Sequence, residues 1–200
     1  MEKLITQQQI QQRIKELADA IARDHIESEN IMPPVLICVL NGAIHFFSDL
    51  SRALTINHEI DFARLKSYDK RDNSGGVLVT KPIELELRGK RVYIIDDICD
   101  SGASIMEMLF MVNSRIPECV KVVTMLKRKG GVDLTNFHGF EIDDEWVVGY
   151  GLDDNGLKTM QPFLSGYTKQ DTFMMSSDKI LTLVDPTPTL LEKYEDLIKE

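Results

Sequence analysis

The sequence predicts an α/β domain in which helices flank a mostly parallel, twisted sheet. Two apolar runs are typical of strands that are buried on both faces: 35–40, which is continuous, and 91–97, which ends in two carboxylates. Each run is followed by a segment in which apolar residues recur at helical spacing. Strands that alternate with helices in this way build a parallel sheet, whose ligands bind at the carboxyl ends of the strands.

The first third of the chain contains a helix, a strand and a second helix. Thr6 and Gln9 have the spacing of a capping box, and apolar residues at helical intervals then predict a helix over 7–25. Two prolines precede the strand at 35–40, and an Asn-Gly pair follows it. We predict the second helix over 43–54.

The middle of the chain predicts a hairpin and then the second buried strand. Residues 58–67 alternate between apolar and polar, and a short strand near 77–80 would close a hairpin with them. The polar stretch between them, 68–76, ends in two glycines and is predicted to be a mobile loop. The strand at 91–97 ends in two carboxylates.

The remaining elements follow that strand. Ile105, Met108, Leu109 and Val112 mark one face of a helix, and 120–126 and 145–150 are predicted strands. We expect one domain over residues 1–165 and a C-terminal extension over 166–200 that ends in a helix.

Composition excludes several classes of function. The net charge of -9 and the pI near 5.0 argue against a nucleic-acid or anionic-membrane surface, which would need clustered basic residues. No apolar run approaches the roughly 20 residues that span a bilayer. Charges near the N-terminus and three widely spaced cysteines, Cys38, Cys99 and Cys119, indicate a cytoplasmic protein with buried, reduced thiols.

The turn after the second buried strand carries the most informative chemistry. It combines three carboxylates with a glycine and two hydroxyls: Asp96, Asp97, Asp100, Gly102, Ser101 and Ser104. A glycine, hydroxyls and the free amides of a helix start make a phosphate cradle. Three acids would weaken a simple phosphate pocket, so they need sugar hydroxyls, magnesium or a proton in transfer as partners. A phosphorylated sugar with a metal satisfies all of these requirements.

The alternative is that Asp100 and Ser101 only cap the following helix, a role that suits both residue types. Capping accounts for one acid, but it gives no reason for Asp96 and Asp97 to end an apolar strand.

The segment VYIIDDICDSGASI resembles the phosphoribosyl pyrophosphate (PRPP) signature of type I phosphoribosyltransferases. The resemblance runs from about residue 5 to residue 155, and it is closest to the hypoxanthine-guanine phosphoribosyltransferases. It includes RIKELADAI, CVLNGAIHFFSDL, DFARLKSY and FHGFEIDDEWVVGYGLDDN, in the order and spacing of that family. It implies the type I phosphoribosyltransferase fold, with a flexible catalytic loop and a small hood.

The resemblance implies a role for each residue of the turn. Asp96 and Asp97 would bind the ribose hydroxyls, and Asp100 would be the general base that removes a proton from the purine. The 5′-phosphate would be held by the four residues that follow: Ser101, Gly102, Ala103 and Ser104. Mg²⁺ would be the cofactor, with Asp96, Asp97 and Asp153 near the metal.

Other segments imply a pyrophosphate turn and a lid. Leu40, Asn41 and Gly42 match the turn that contacts pyrophosphate, often through a cis peptide. Asn41 departs from the basic residue usual in the family. Ser67 and Tyr68 match the flexible loop that closes over the reaction centre.

The purine would be bound by residues near the end of the match. Trp146 would stack on the base, Val147 would offer its backbone to the base edge, and Asp153 would lie near the metal and the base. The lysine of the family that contacts the purine 6-oxygen corresponds to Arg128, and the neighbouring Lys127 stays an alternative. Downstream, the family's pyrophosphate-site arginine is missing, with Lys158 as a substitute.

These implications lead to an enzyme of purine salvage that converts hypoxanthine or guanine into its nucleotide. We expect it to be a homodimer or homotetramer that binds PRPP and a 6-oxopurine, and neither nucleic acid nor membrane. Three alternatives stay open: a phosphoribosyltransferase for xanthine or a pyrimidine, a PRPP-binding regulatory protein, and a catalytically weak relative.

Overall fold

The fold was determined as a computed structural model, which describes residues 5–68, 76–143, 147, 149 and 150. These all belong to the first of the two units into which the chain divides, Met1–Met160. The second unit, Gln161–Glu200, lies outside the described residues. Residues 69–75 of the predicted loop at 68–76, the boundary at 165 and the final helix therefore also lie outside them. The two ends of that predicted loop, Tyr68 and Gly76, belong to strands.

A six-stranded sheet forms the centre of the described fold, in the order β3-β2-β1-β4-β5-β6. Its strands are β1 (Val35–Leu40), β2 (Glu59–Tyr68), β3 (Gly76–Lys81), β4 (Arg91–Cys99), β5 (Cys119–Arg128) and β6 (Phe137–Ile142). Neighbouring strands are parallel except for β3, which is antiparallel to β2. The mostly parallel sheet and the β2–β3 hairpin are as predicted.

Three helices, α1 (Gln7–Glu27), α2 (Ile44–Ala53) and α3 (Ala103–Asn113), cover the two faces of the sheet. Buried residues of α1 and α2 share one apolar cluster with β4, for example Leu17, Phe46 and Tyr93. Met108 and Val112 of α3 pack in a second cluster on the other face. The predicted capping box at the start of α1 is present, because the side chains of Thr6 and Gln9 each accept a bond from the other residue's backbone amide.

The predicted strand at 145–150 is wrong. Of its described residues, Val147 lies in no strand and Gly149 forms only an isolated bridge. The last described strand is instead β6, which pairs with β5. A methyl group on Gly139 of β6 would come within 2.4 Å of the carbonyl oxygen of Met125. This close packing explains a glycine that weakens the strand pattern in the sequence.

The connections around the sheet create a crevice between β1 and β4. These two strands are neighbours, yet the helix after β1 lies on one face and the helix after β4 lies on the other. Chain connections that leave to opposite sides open a ligand crevice at the carboxyl ends of the two strands. The crevice therefore lies between the turn at 40–42 and the turn at 96–104.

The burial of the cysteines and the hydropathy of the helices were both expected from composition. Cys38 and Cys99 are buried free thiols, as expected, whereas Cys119 is only partly buried. None of the helices in the described ranges combines the length and the hydropathy that membrane crossing requires.

Candidate active site

Asp96 and Asp97 lie inside β4 rather than after it, since the strand continues to Cys99. Asp96 is buried, and its Oδ1 accepts a 3.0 Å hydrogen bond from the amide of Asp97. Oδ1 of Asp97 in turn accepts a 2.8 Å bond from the amide of Ile98. These bonds orient two ionisable side chains at the end of a strand whose earlier residues are buried.

The turn after β1 meets Asp97 directly. A methyl group on Gly42 would lie 1.8 Å from Oδ2 of Asp97, so only glycine permits this approach. The peptide bond between Leu40 and Asn41 is cis, in agreement with the family feature that the sequence implied. Cys38 of β1 is a buried thiol near these acids. Its burial, and to a smaller extent the negative charges of Asp96 and Asp97, raise its pKa to about 12, so this thiol stays protonated.

The start of α3 is open to a ligand. Its N-cap is Gly102, with a left-handed φ of 76° and no side-chain cap. Asp100 and Ser101 therefore do not occupy the N-cap position, and Ser101 only accepts a long, 3.5 Å bond from the amide of Ala103 through its Oγ. Gly102 is buried against Val132 and Leu134, whose Cδ1 atom would lie 3.0 Å from an added methyl group. In contrast, the turn residues on either side of it are exposed: Asp100, Ser101, Ala103 and Ser104. Amides in a first helical turn have no partner within the helix, and here they lie beside two hydroxyls.

Arg128, the last residue of β5, forms an ion pair with Asp100. Its Nε donates to Oδ1 of Asp100 at 3.0 Å, and its Nη1 donates to the carbonyl oxygen of Asp143 at 2.8 Å. The Arg128 side chain is 17% exposed, whereas that of Asp100 is 61% exposed. A firmly held guanidinium thus lies beside a carboxylate that a ligand can reach.

Lys127 takes part in a different set of contacts. Its Nζ lies 2.8 Å from Oδ2 of Asp133 and 3.6 Å from Oε1 of Glu141, and the hydrogen bond to Asp133 raises its pKa. Successive residues of a strand point to opposite faces, which separates Lys127 from Arg128. Of the two alternatives for the purine contact, the structure brings Arg128 to Asp100.

The structure describes only some of the other predicted site residues. Ser67 and Tyr68 are the last residues of β2. Val147 packs against the apolar cluster of α1 and α2. Trp146, Asp153 and Lys158 lie outside the described residues. Within those residues, no cluster of three or more His, Cys, Asp or Glu side chains could hold a metal by itself.

Sequence reasoning missed two groups at this site. The carbonyl oxygen of Asp143 holds Arg128, and a backbone acceptor leaves no signal in a sequence. Tyr150 lies within the predicted purine segment and donates a 2.6 Å hydrogen bond to Asp49 of α2. Each residue lies in a segment that resembles the family, but they are about a hundred positions apart, so no local pattern signals their contact.

Comparison with known proteins shows which family this chain resembles. A model of the phosphoribosyl transferase domain matches residues 5–155, and a model of a family of unknown function, DUF6561, matches residues 144–199. The hypoxanthine-guanine phosphoribosyltransferase of Mycobacterium tuberculosis is 35% identical over 156 residues, which are 75% of this chain and 77% of that protein. The Bacillus subtilis hypoxanthine-guanine phosphoribosyltransferase is 34% identical over 154 residues, 75% of this chain and 83% of that protein.

Solved structures with a similar fold belong to proteins of the same kind. A Bacillus anthracis hypoxanthine-guanine phosphoribosyltransferase has a TM-score of 0.70 and 33% identity, over 82% of this chain and 94% of that one. For the Trypanosoma cruzi hypoxanthine phosphoribosyl transferase the TM-score is 0.72 and the identity 30%, over 78% of this chain and 86% of that one. This chain therefore belongs to the phosphoribosyltransferase family, among its hypoxanthine-guanine phosphoribosyltransferases.

Proposed function

We propose that this enzyme of purine salvage transfers the 5-phosphoribosyl group of PRPP to hypoxanthine or guanine. The products are IMP or GMP and pyrophosphate. The observation that carries the proposal is the pair formed by Asp100 and Arg128 at the turn 100–104, whose residues are exposed except for Gly102.

This pair is complementary to one edge of a 6-oxopurine. Such an edge has an acceptor, the 6-oxygen, next to a ring nitrogen that can carry a proton. The guanidinium of Arg128 donates to the oxygen, while the carboxylate of Asp100 accepts the proton and offsets the positive charge that develops on the base. A 6-aminopurine would place a donor against the guanidinium, so the pair disfavours adenine.

The donor substrate is held by the two turns at the crevice. Asp96 and Asp97 bind the ribose hydroxyls, and the amides and hydroxyls of 101–104 bind the 5′-phosphate. The turn Leu40–Asn41–Gly42 lies against Asp97 and contacts the pyrophosphate. Its uncharged Asn41 leaves this contact to backbone amides, with Lys158 as a further cation.

Two more segments complete the site. Ser67 and Tyr68 lead into the loop that closes over the reaction centre and excludes water from the activated sugar. Trp146 stacks on the purine, Val147 offers its backbone to the base, and Asp153 lies near the metal and the base.

The cofactor is Mg²⁺. Magnesium is usually held by one or two carboxylates together with substrate phosphates, so the absence of a larger acidic cluster in the described residues does not conflict with it. Asp96 and Asp97 fit as hard oxygen donors, joined by Asp153 in our proposal. When bound, the metal neutralises the charge of the pyrophosphate leaving group.

We also propose a cytoplasmic homodimer or homotetramer, with a catalytic domain over 1–165 and an extension over 166–200. The free thiols of Cys38, Cys99 and Cys119 suit a reducing compartment. The acidic net charge gives no support for a nucleic-acid or membrane partner. Light scattering of the purified full chain measures the oligomeric state, and a monomer would contradict that part.

The function is tested by steady-state assays with PRPP, Mg²⁺ and a panel of bases. We expect turnover of hypoxanthine and guanine, and none of adenine. A protein that used uracil but neither 6-oxopurine would contradict the proposed substrate. A protein that bound PRPP, used none of the bases and showed a salt-dependent gel shift with RNA would be a regulator instead.

A further inference from the structure

The hydroxyl of Tyr150 connects the chain that follows β6 to helix α2. It donates a 2.6 Å hydrogen bond to Oδ2 of Asp49, and the carbonyl oxygen of His45 lies 3.3 Å from the same hydroxyl as a weaker acceptor. Burial, together with the Asp49 carboxylate, raises the pKa of this hydroxyl above its usual range. The hydroxyl therefore keeps its proton and acts as a donor.

Asp49, the acceptor, is itself fixed from two other directions. Nε2 of Gln11 in α1 donates to Oδ2 of Asp49 at 2.9 Å, and Arg52 forms an ion pair with Oδ1. Burial alone would raise the pKa of Asp49, but the hydrogen bonds from Tyr150, Gln11 and Arg52 outweigh it and lower the pKa. Tyr150 is thus bonded to an ionised carboxylate, and such charge-assisted bonds are the stronger ones.

The contact lies between two parts of the proposed site. Helix α2 begins immediately after the pyrophosphate turn, and His45 lies in its first turn. Val147, which we propose presents its backbone to the purine, precedes Tyr150 by three residues and packs against the same apolar cluster. Tyr150 has a φ of 54°, a left-handed conformation that few residues other than glycine adopt.

We propose that Tyr150, acting through Asp49, is a positioning residue for the purine. Its hydrogen bond holds the backbone at Val147 in a fixed position relative to the pyrophosphate turn. The bound base is thereby placed correctly relative to the bound PRPP. This inference rests on the proposed function. Without the bond, a smaller fraction of the molecules holds the purine segment in the conformation that binds the base. The apparent affinity for the base falls in proportion to that fraction.

The test is Tyr150→Phe with Tyr93→Phe as its matched control. Tyr93 is also buried and donates a 2.7 Å hydrogen bond to an aspartate, Asp24, but it lies near the start of β4, away from the crevice. For Y150F we expect the KM for hypoxanthine to rise about 3- to 10-fold, with kcat and the KM for PRPP within about twofold of wild type. The control should change none of the three beyond about twofold.

A second variant keeps the proposal testable if Y150F does not fold. Asp49→Asn weakens the same hydrogen bond, so it should raise the KM for hypoxanthine in the same way. In the double variant with Y150F the rise should be no larger than in the stronger single variant, because both remove one interaction.

The outcomes separate this inference from the function on which it rests. If the KM for hypoxanthine in Y150F or D49N equals that of Y93F, Tyr150 has no positioning role. A fall in kcat at unchanged KM would also contradict it, since that result means a loss of active molecules. A wild-type enzyme that used neither hypoxanthine nor guanine would instead remove the proposed function, and this inference with it.

Discussion

Gly42 and Asp97 lie so close that a methyl group on the glycine would be 1.8 Å from Oδ2 of the acid. Gly42 lies in the turn after β1, and Asp97 lies near the end of β4. Their contact joins the proposed pyrophosphate turn to the proposed ribose site, because neither can move without the other.

Gly42→Ala should therefore weaken PRPP binding. The added methyl group must displace the Asp97 carboxylate, and such overpacking costs about 1–3 kcal/mol, or roughly 5- to 100-fold in affinity. Calorimetric titration with PRPP and Mg²⁺ measures the change. Gly130→Ala is the control for destabilisation alone, since its methyl group would meet no atom within 4 Å, whereas its φ of 74° strains any residue other than glycine. An unchanged PRPP affinity in G42A would show that the contact has no role in binding.

Asp100→Asn should reduce turnover while PRPP binding is preserved. The loss of a general base lowers the rate by roughly 10²–10⁴-fold. Asp133→Asn is a matched control, because Asp133 also pairs with a basic residue of β5, Lys127, but makes no contact with Arg128 in the described ion pairs. Single-turnover kinetics measures the effect. Turnover equal to wild type in D100N would remove Asp100 from its proposed role.

Arg128→Met should lower kcat/KM for hypoxanthine more than Lys127→Met does. Arg128 donates to Asp100 and to the carbonyl oxygen of Asp143, and bonds from a charged donor contribute about 1.5–3 kcal/mol each. The expected loss is about 10- to 100-fold for R128M. A larger loss in K127M would show that the neighbouring lysine contacts the purine instead.

Stability at low pH should depend on Asp61, a buried residue of β2. Its Oδ2 accepts hydrogen bonds from the amides of Glu84 and Leu85, at 2.7 and 2.9 Å. Burial alone would raise the pKa of Asp61. The pKa is nevertheless lowered, because Asp61 accepts these two bonds and a third from the amide of Phe62, and because the positive charge of Lys81 is nearby. A carboxyl whose pKa is lower in the folded state contributes stability above its unfolded pKa, about 4, and loses it as the pH falls through the folded value.

Asp61→Asn removes this titration, so its free energy of unfolding should be lower at neutral pH by about 1–3 kcal/mol. Below pH 4 the difference from wild type should shrink. Urea unfolding between pH 2 and 7 gives both curves. Parallel curves over the whole range would mean that Asp61 does not supply this pH dependence.

Two strands show which parts of the fold can be predicted from sequence. The residues of β1 are all apolar and lie between turn residues, so the predicted and observed limits coincide. Strand β6 reads FHGFEI, a weaker pattern than the apolar residues near 147, and it was missed. Its Gly139 is needed because β6 approaches Met125 closely, and this tertiary requirement is not expressed in local propensity.

Some features of the candidate site could also be predicted from the sequence, whereas others could not. The motif was enough to predict the acids and hydroxyls of 96–104 as one cluster, because a single strand-to-turn segment carries them all. The pairing of Asp100 with Arg128 depends on side-chain torsions in two segments, which no local pattern encodes. Strand alternation was an available signal, since it predicts that Lys127 and Arg128 point to opposite faces.

Calorimetric titration of the folded wild-type protein with PRPP in the presence of Mg²⁺ tests the central claim most directly. If the crevice between β1 and β4 holds a phosphorylated sugar donor, the titration shows saturable binding that weakens when Mg²⁺ is removed. A folded protein that released or absorbed no heat with PRPP at any magnesium concentration would contradict the assignment of this site.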